Sequence, residues 1–398
     1  DLSDVLRESF QRFSSSFQLA NCDKDMDLFM SRVAKPVIHV LRLFCGNRAR
    51  QRRQIGKLLP DWSILQQDST VLDRRMLHEM SKAGIPSAIS GMANSTSGLP
   101  CRHPCFSWIF DQTVNLLAHH VMLGFELDLF SPRELIPTFW YLEYLLNCGL
   151  QNHSIARKTV DSKFQRKVDL LVQQKQREIG AEPSATGSGT NRRGGGRKGK
   201  KKNKKPAPKP PATAELLMVE AKKDICRSIY KTMQALVKIG VLDFPELPFG
   251  SEEMRFRHRF AEFLKVPQPI PLTYKNYLAH NDPRKYTAQT LLHIASKGFE
   301  NAKILIGVAT KRCVLLPPEL LRAKKLLKVA IANAVLVLMI HKTQQKPPPN
   351  NPSEKTNPRL QGYNISFDFS VHPVFPVMKL TKMKAKASDA KSVMDKKG

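Results

Sequence analysis

The sequence predicts a mainly α-helical protein, an irregular multi-helix scaffold with a small extended section near its C-terminal end. Three observations lead there. Apolar residues recur at three- and four-residue spacing through most of the 398 residues, period-2 alternation is almost absent before position 363, and helix-boundary residues punctuate the apolar stretches. With 41% hydrophobic and 25% charged residues the chain has apolar material for two or three domains, which excludes a peptide or a wholly disordered chain.

The elements follow in order. Residues 1–19 carry helical spacing from the first residue, Asp1, so the expectation is a chain without its natural start, with a helix running to about Gly46. A long helix begins near Asn47 and places Ile55, Leu58, Trp62, Leu65, Leu72 and Met76 on one stripe. Pro60 lies inside that stripe and predicts a kink or a break. Residues 82–104, rich in Ser, Gly and Pro, read as a long loop. A strongly apolar helix spans about 106–129, and Ser131-Pro132-Arg133-Glu134 opens the next with an N-cap, a Pro in the first turn and the Glu of a capping box. These two should pack together, and a more polar helix is expected over 155–179. The region 1–180 is thus read as helical.

Residues 181–213 collapse into Gly, Ser, Pro and Lys, with ten basic residues and no acidic one between Arg192 and Lys209. Such a segment buries too little apolar surface to offset its ordering entropy and is expected to be a disordered polybasic linker. A second helical region covers 214–341. Met218, Ala221, Ile225, Ile229, Met233 and Leu236 define its first helix, ending near Gly240. A proline-rich passage over 244–274 holds a short charged helix near 251–264. Helices over 287–309 and 317–340 complete the region, the last with Leu320, Leu327, Ile331, Ala334 and Leu338 inward and its apolar end in the core. Residues 342–362 read as a Pro/Asn linker. Residues 363–380 read as a hairpin or two edge strands anchored by Phe367, Phe369 and Phe375, and 381–398 as a basic disordered tail.

The function classes narrow by charge and by motif. A net charge of +30 predicts attraction to polyanions. Seven cysteines, few and odd in number, argue against a disulfide framework and for a reducing compartment. No run reaches the apolar length of a membrane span, the nearest being 329–340, so no membrane role is expected. No phosphate-cradling, dinucleotide-binding, zinc-protease or nucleophile-elbow signature occurs, and Gly194-Gly195-Gly196 sits in the polybasic linker, where it reads as spacer. No catalytic residue, cofactor site or cofactor is predicted. The weak metal candidates are Cys101, His103, Cys105 and His119, whose thiolates and imidazoles suit tetrahedral zinc but whose spacing is irregular.

Charge patches carry more. Arg192, Arg193, Arg197, Lys198, Lys200, Lys201, Lys202, Lys204 and Lys205 can neutralise phosphates, yet lack the interleaved aromatics that stack on bases. They point to sequence-independent contact with RNA or the ribosome. Arg48, Arg50 and Arg52 open the long helix, at the end where cations are disfavoured, which suggests an acidic partner.

Several stretches together resemble one family. They are Gly46-Asn-Arg-Ala-Arg-Gln-Arg52 with residues 59–73, Gly124-Phe-Glu-Leu-Asp-Leu-Phe130 leading to Trp140-Tyr-Leu142, Tyr230-Lys-Thr-Met233, Arg255-Phe-Arg-His-Arg-Phe-Ala261, and Phe367-Asp-Phe-Ser370 through His372 to Leu380. In this order they resemble the C-terminal half of the large auxiliary subunit of the NatC N-terminal acetyltransferase complex. The resemblance implies a non-catalytic, cytoplasmic helical scaffold that holds a catalytic acetyltransferase subunit and a small Sm-like subunit. Together these acetylate the initiator methionine of proteins with a hydrophobic second residue, on nascent chains at the ribosome, with acetyl-CoA bound by the catalytic partner. Arg255, His258 and Arg259 join Arg48, Arg50 and Arg52 as expected partner contacts. The reading from another class is a polybasic RNA- or ribosome-binding helical protein with no acetyltransferase link.

One test follows from composition alone. Replacing the lysines between Lys198 and Lys205 with Gln is expected to weaken RNA or ribosome binding and to flatten its salt dependence while leaving the fold intact. Binding isotherms over a salt series measure this, and curves identical to wild type at every salt concentration refute it.

Overall fold

A computed structural model describes residues 23–82, 104–159, 213–243, 250–282, 284–313, 315–345 and 363–382. The expectations for 1–22, 83–103, 160–212, 346–362 and 383–398, including the loop, the polybasic linker and the tail, lie outside the described residues.

Within these residues the chain is an array of helices laid side by side, as the periodicity predicts. Helices α1 (Asp23–Phe44), α2 (Arg48–Lys82), α3 (Pro104–Glu126) and α4 (Pro132–Thr159) each pack on the next. Helix α5 (Ala214–Ile239) lies against α4 on one side and α8 (Ala288–Arg312) on the other, and α9 (Pro317–Gln345) covers α8. Between α5 and α8 run α6 (Ser251–Arg259), a 3-10 turn (Ala261–Lys265) and α7 (Tyr274–His280). Strands β1 (Tyr363–Asp368) and β2 (Val377–Lys382) pair antiparallel, with Ile365 opposite Leu380 and Phe367 opposite Met378. Helices from both sides of the 181–213 interval contribute to one contiguous core. None of the described helices is long and apolar enough to cross a membrane.

Helix α5 is buried on nearly every side, with Ala221, Ile225, Ile229, Tyr230, Met233 and Leu236 all inaccessible. Small residues let its neighbours approach: a Cβ on Gly298 of α8 would overlap the Ser228 hydroxyl and stand 3.3 Å from the Asp224 carbonyl. The helix is closed at both ends. The Thr213 hydroxyl accepts the Leu216 N–H, and Gly240 takes the left-handed conformation of a C-cap.

Several expectations need correction. Of the two outcomes expected at Pro60, a kink or a break, the break does not occur: α2 is continuous over 35 residues. A proline deprives the carbonyl four residues earlier of its donor. That carbonyl belongs to Gly56, and the Lys265 ammonium donates to it at 3.0 Å. No separate helix begins at 155, because α4 runs unbroken to Thr159. Helix α7 was not anticipated: seven residues are too few for a periodic pattern, but Thr273 and Asn276 form a capping box that starts it. The passage 342–362 is helical as far as Gln345.

The face of α9 differs as well. It buries Ala323, Leu326, Ala330, Ala334, Val337 and Ile340, while Ile331 and Leu338 are 44% and 41% exposed. Apolar residues occupy two opposite faces of this helix, and the inward one is the face whose alanines permit close packing and whose Asn333 clamps β2. Asn333 donates to the Pro376 carbonyl at 2.9 Å and accepts the Met378 N–H at 2.8 Å.

The hairpin connection is fixed by His372 and Phe375. Phe375 is 1% exposed and stacks on Phe139 with ring centroids 6.4 Å apart. His372 Nδ1 accepts the N–H groups of Val374 and Phe375 at 3.1 and 3.2 Å. Burial, aided by the nearby Lys222 and Lys325 charges, pushes its pKa down to about 4.

Two outcomes are expected. Phe375→Ala should cost about 3–5 kcal/mol in denaturant melts, and Phe367→Ala, at a half-buried position, clearly less. Equal losses would mean that Phe367 is as fully enclosed as Phe375. The second concerns pH. His372 binds its proton less well folded than unfolded, so its contribution is complete above the unfolded pKa near 6.5 and is lost as pH falls toward 4. His372→Asn keeps an acceptor that does not titrate, so wild type should lose on the order of 2 kcal/mol more than the variant between pH 7 and pH 4. Identical pH slopes in paired urea melts would remove His372 from the account.

Candidate partner groove

The corner between α3 and α4 is built by the Gly124–Phe130 segment. Leu129 N–H reaches the Gly124 carbonyl at 3.0 Å, Asp128 N–H reaches Phe125 O at 3.0 Å, and Asp128 takes φ of 53°, a left-handed helix stop. Gly124 is required because the Phe130 ring folds back onto its Cα, where any Cβ would collide with it. Phe130 meets Phe125 edge-on at 4.8 Å, and Phe125 in turn contacts Phe139 at 4.7 Å.

The predicted capping box at Ser131 forms and does more than cap. Glu134 accepts the Ser131 N–H and O–H, both at 2.9 Å, and its second oxygen meets the Arg259 guanidinium of α6. Arg133 pairs with Glu252 at 2.5 Å, giving α6 a second tie to the start of α4. Arg259 lies over the Phe130 and Phe260 rings at 5.8 and 5.9 Å, and burial lowers its pKa to about 10.

From there the chain forms a strap across α4 and α2. Phe260 stacks on Tyr141 at 4.2 Å, and Phe263 lies between Tyr141 and His120 at 4.9 and 6.1 Å. Gln66 exchanges two hydrogen bonds with the Gln268 backbone at 2.7 and 3.2 Å. Tyr144 donates to the Ile270 carbonyl at 2.7 Å, and the Tyr141 hydroxyl accepts the Leu272 N–H at 3.0 Å. Tyr141 and Tyr144 of α4 therefore serve packing against the strap.

Where this corner, α6 and the hairpin meet, a groove of 1040 Å³ opens. Phe125, Phe130, Leu135, Leu242, Phe367 and Phe369 give it apolar walls, and Asp128, Asp243, Arg133 and Arg255 give it charge of both signs. Its volume stands at the upper end of the range for ligand pockets. Apolar walls bordered by carboxylates and guanidinium groups suit recognition of an apolar, polar-edged chain segment. At β1 the Asn364 side chain accepts the Ile365 N–H at 2.8 Å, occupying one donor of the strand.

The residues expected to meet partners divide. Arg255 and His258 are exposed on α6, and Arg255 lines the groove. Arg50 is exposed, its own N–H capped by Asn47 Oδ1 at 2.9 Å. Arg259 is committed to Glu134, Arg48 pairs with Glu126 at 2.7 Å, and Arg52 is half-buried near Glu262. For these three the acidic partner lies within the chain. Sequence spacing could not reveal this, because Glu134, Glu126 and Glu262 are remote in sequence from the arginines they meet.

Of the metal candidates, the two that are described, Cys105 and His119, do not converge. Cys101 and His103 lie outside the described residues. Cys105 and His119 both belong to α3, where fourteen residues put them about 21 Å apart along the axis. The Cys105 thiol is held protonated by burial beside Asp73, and His119 bonds Gln51 at 3.2 Å. No group of three or more metal-ligating side chains occurs among the described residues. The polybasic positions Arg192 to Lys205 also lie outside them. Asp73 was missed by sequence reasoning: buried, with its pKa raised to about 8, it accepts the Phe106 N–H at 2.9 Å and so caps α3 from α2.

Known proteins resemble this chain over most of its length. The human and rat proteins described as N-alpha-acetyltransferase 35, NatC auxiliary subunit, are each 28% identical over 362 residues, covering 89% of this chain and 42% of their own. A Drosophila melanogaster homologue of that subunit is 27% identical over 342 residues, covering 84% of this chain and 38% of its own. The chain thus spans less than half the length of the curated relatives it matches. Among solved structures, a chain of the NatC complex bound to Gag peptide and CoA superposes with a TM-score of 0.58 at 14% identity, over 89% of this chain and 48% of that one. A NatC complex bound to Arl3 peptide and CoA gives a TM-score of 0.56 at the same identity. These likenesses establish a shared helical fold. The sequence profile described as NAA35-like, TPR repeats, matches residues 1–378, and the chain belongs to that family.

Proposed function

We propose that this chain acts as a non-catalytic scaffold of a NatC-type N-terminal acetyltransferase in the cytoplasm, holding a catalytic acetyltransferase subunit and a small Sm-like subunit. The observation that carries the reading is the family match over residues 1–378, joined to relatives named as the NatC auxiliary subunit. The motifs behind the resemblance fall on load points of the fold: Gly124–Phe130 makes the α3–α4 corner, Arg255–Ala261 seats the strap, and the segment around His372 closes the hairpin. Catalysis and acetyl-CoA binding belong to the partner in this reading. The substrate is the initiator methionine before a hydrophobic second residue, met on nascent chains. Arg50, Arg255 and His258, all exposed, are the proposed contacts, Arg255 through the groove.

The net charge of +30 favours a second activity, contact with RNA or the ribosome through the polybasic segment. The two are compatible in one protein, since a scaffold serving nascent chains gains from attraction to ribosomal RNA.

The test is a tagged pull-down of this protein, assayed with acetyl-CoA on a peptide starting Met-Leu and on one starting Ser. Selective acetylation of the Met-Leu peptide is expected. Recovery of ribosomal RNA with no acetyltransferase activity would instead leave the polybasic reading standing alone. In the same assay Arg255→Glu should reduce the catalytic subunit recovered without changing the melting temperature, since the side chain is exposed.

A further inference from the structure

The outward face of α9 presents Ile331, Val335, Leu338 and Met339, which are 44, 53, 41 and 58% exposed. Single exposed apolar residues are ordinary, but four on one arc of about 100° over two turns form a continuous stripe. Lys324 and Lys342 fall on the same arc, one beyond each end of the stripe, and both are exposed. Their separation along the axis is about 27 Å. The helix holds one carboxylate, Glu319, and this accepts the Leu316 N–H at 2.9 Å. The surface is therefore apolar in its middle and cationic at both ends.

We propose that this stripe is a docking face for an amphipathic helix of a partner protein whose apolar side carries Asp or Glu at both ends. Packing logic supplies the shape. Helix α5 is covered by α8 and α8 by α9, so the outward face of α9 is where a further helix of the same array would lie. Charge supplies the identity. A second copy of this chain is disfavoured, since pairing two such stripes sets lysine ends against lysine ends in either orientation. A lipid surface is disfavoured too: α9 is held along its inner face by α8 and β2 and cannot roll to sink its apolar arc into a bilayer. The proposal goes beyond the scaffold reading and does not rest on it, and the stripe lies apart from the residues that line the groove.

The experiment uses the 398-residue chain and two fluorescent peptides of about 20 residues, with identical apolar faces and with Glu or Lys at both ends. Fluorescence anisotropy is expected to show the Glu-ended peptide binding about tenfold tighter than the Lys-ended one. The double variant Val335→Gln, Leu338→Gln changes no charge and should weaken that binding about tenfold with an unchanged melting curve. Lys324→Glu with Lys342→Glu should reverse the preference between the peptides. Equal affinity for both peptides overturns the proposal, as does binding of the Glu-ended peptide that the double Gln variant leaves intact, which would be attraction to net charge alone. Self-association seen by sedimentation, or binding to phosphatidylserine vesicles, if abolished by the double Gln variant, overturns it in favour of a second copy or a membrane.

Discussion

The architecture hangs on the close approach of α5 and α8. A helix with almost no free face must be met on each side by a neighbour of matching shape, and here the contact closes at Gly298 against Ser228 and the Asp224 carbonyl. Asp224, drawn into that contact, is satisfied by the Asn301 amide of α8. Because α4 packs on the other flank of α5, the spacing set at Gly298 bears also on α4, to whose Glu143 the Tyr230 hydroxyl donates at 2.7 Å. Overpacking at such a seam displaces two helices rather than one side chain.

From this centre outward, polar ties decide what the apolar core leaves open. Hydrophobic burial places α6 near α4, but many angles would satisfy it. Glu134, shared between the Ser131 cap and Arg259, selects one, and a half-satisfied version would leave a buried guanidinium unpaired at considerable cost. The groove owes its shape to that choice, since Arg133 and Arg255 line it from elements that the Glu134 and Glu252 pairs hold together.

Much of this was legible in the sequence where the determinant is local. Helix spacing located α2, α3, α4, α5 and α8, Ser131 to Glu134 announced the start of α4, and Gly240 the end of α5. What stayed hidden depends on partners distant in sequence. The arginines of α2 and α6 read as free cations because their carboxylates come from other helices. Helix α9 has two apolar faces, and periodicity cannot choose between them; the choice is made by the alanines that fit α8 and by Asn333, which ties β2. Of the groove's lining, Arg255 falls in a stretch that the family resemblance marks, whereas the groove itself requires three segments more than a hundred residues apart.

The replacement donor at Pro60 has a consequence for the order of synthesis. Helix α2 can form its local hydrogen bonds soon after it is made, but the Gly56 carbonyl must wait for Lys265, 209 residues later. Until then the first half of the chain carries an unmet acceptor, an open Gly56 notch and the uncovered aromatic rings of α4, all of which the strap later closes. The clasp on the first half of the chain thus comes from the far side of the polybasic interval. A contact of such range makes folding slower than the local helical content alone would suggest.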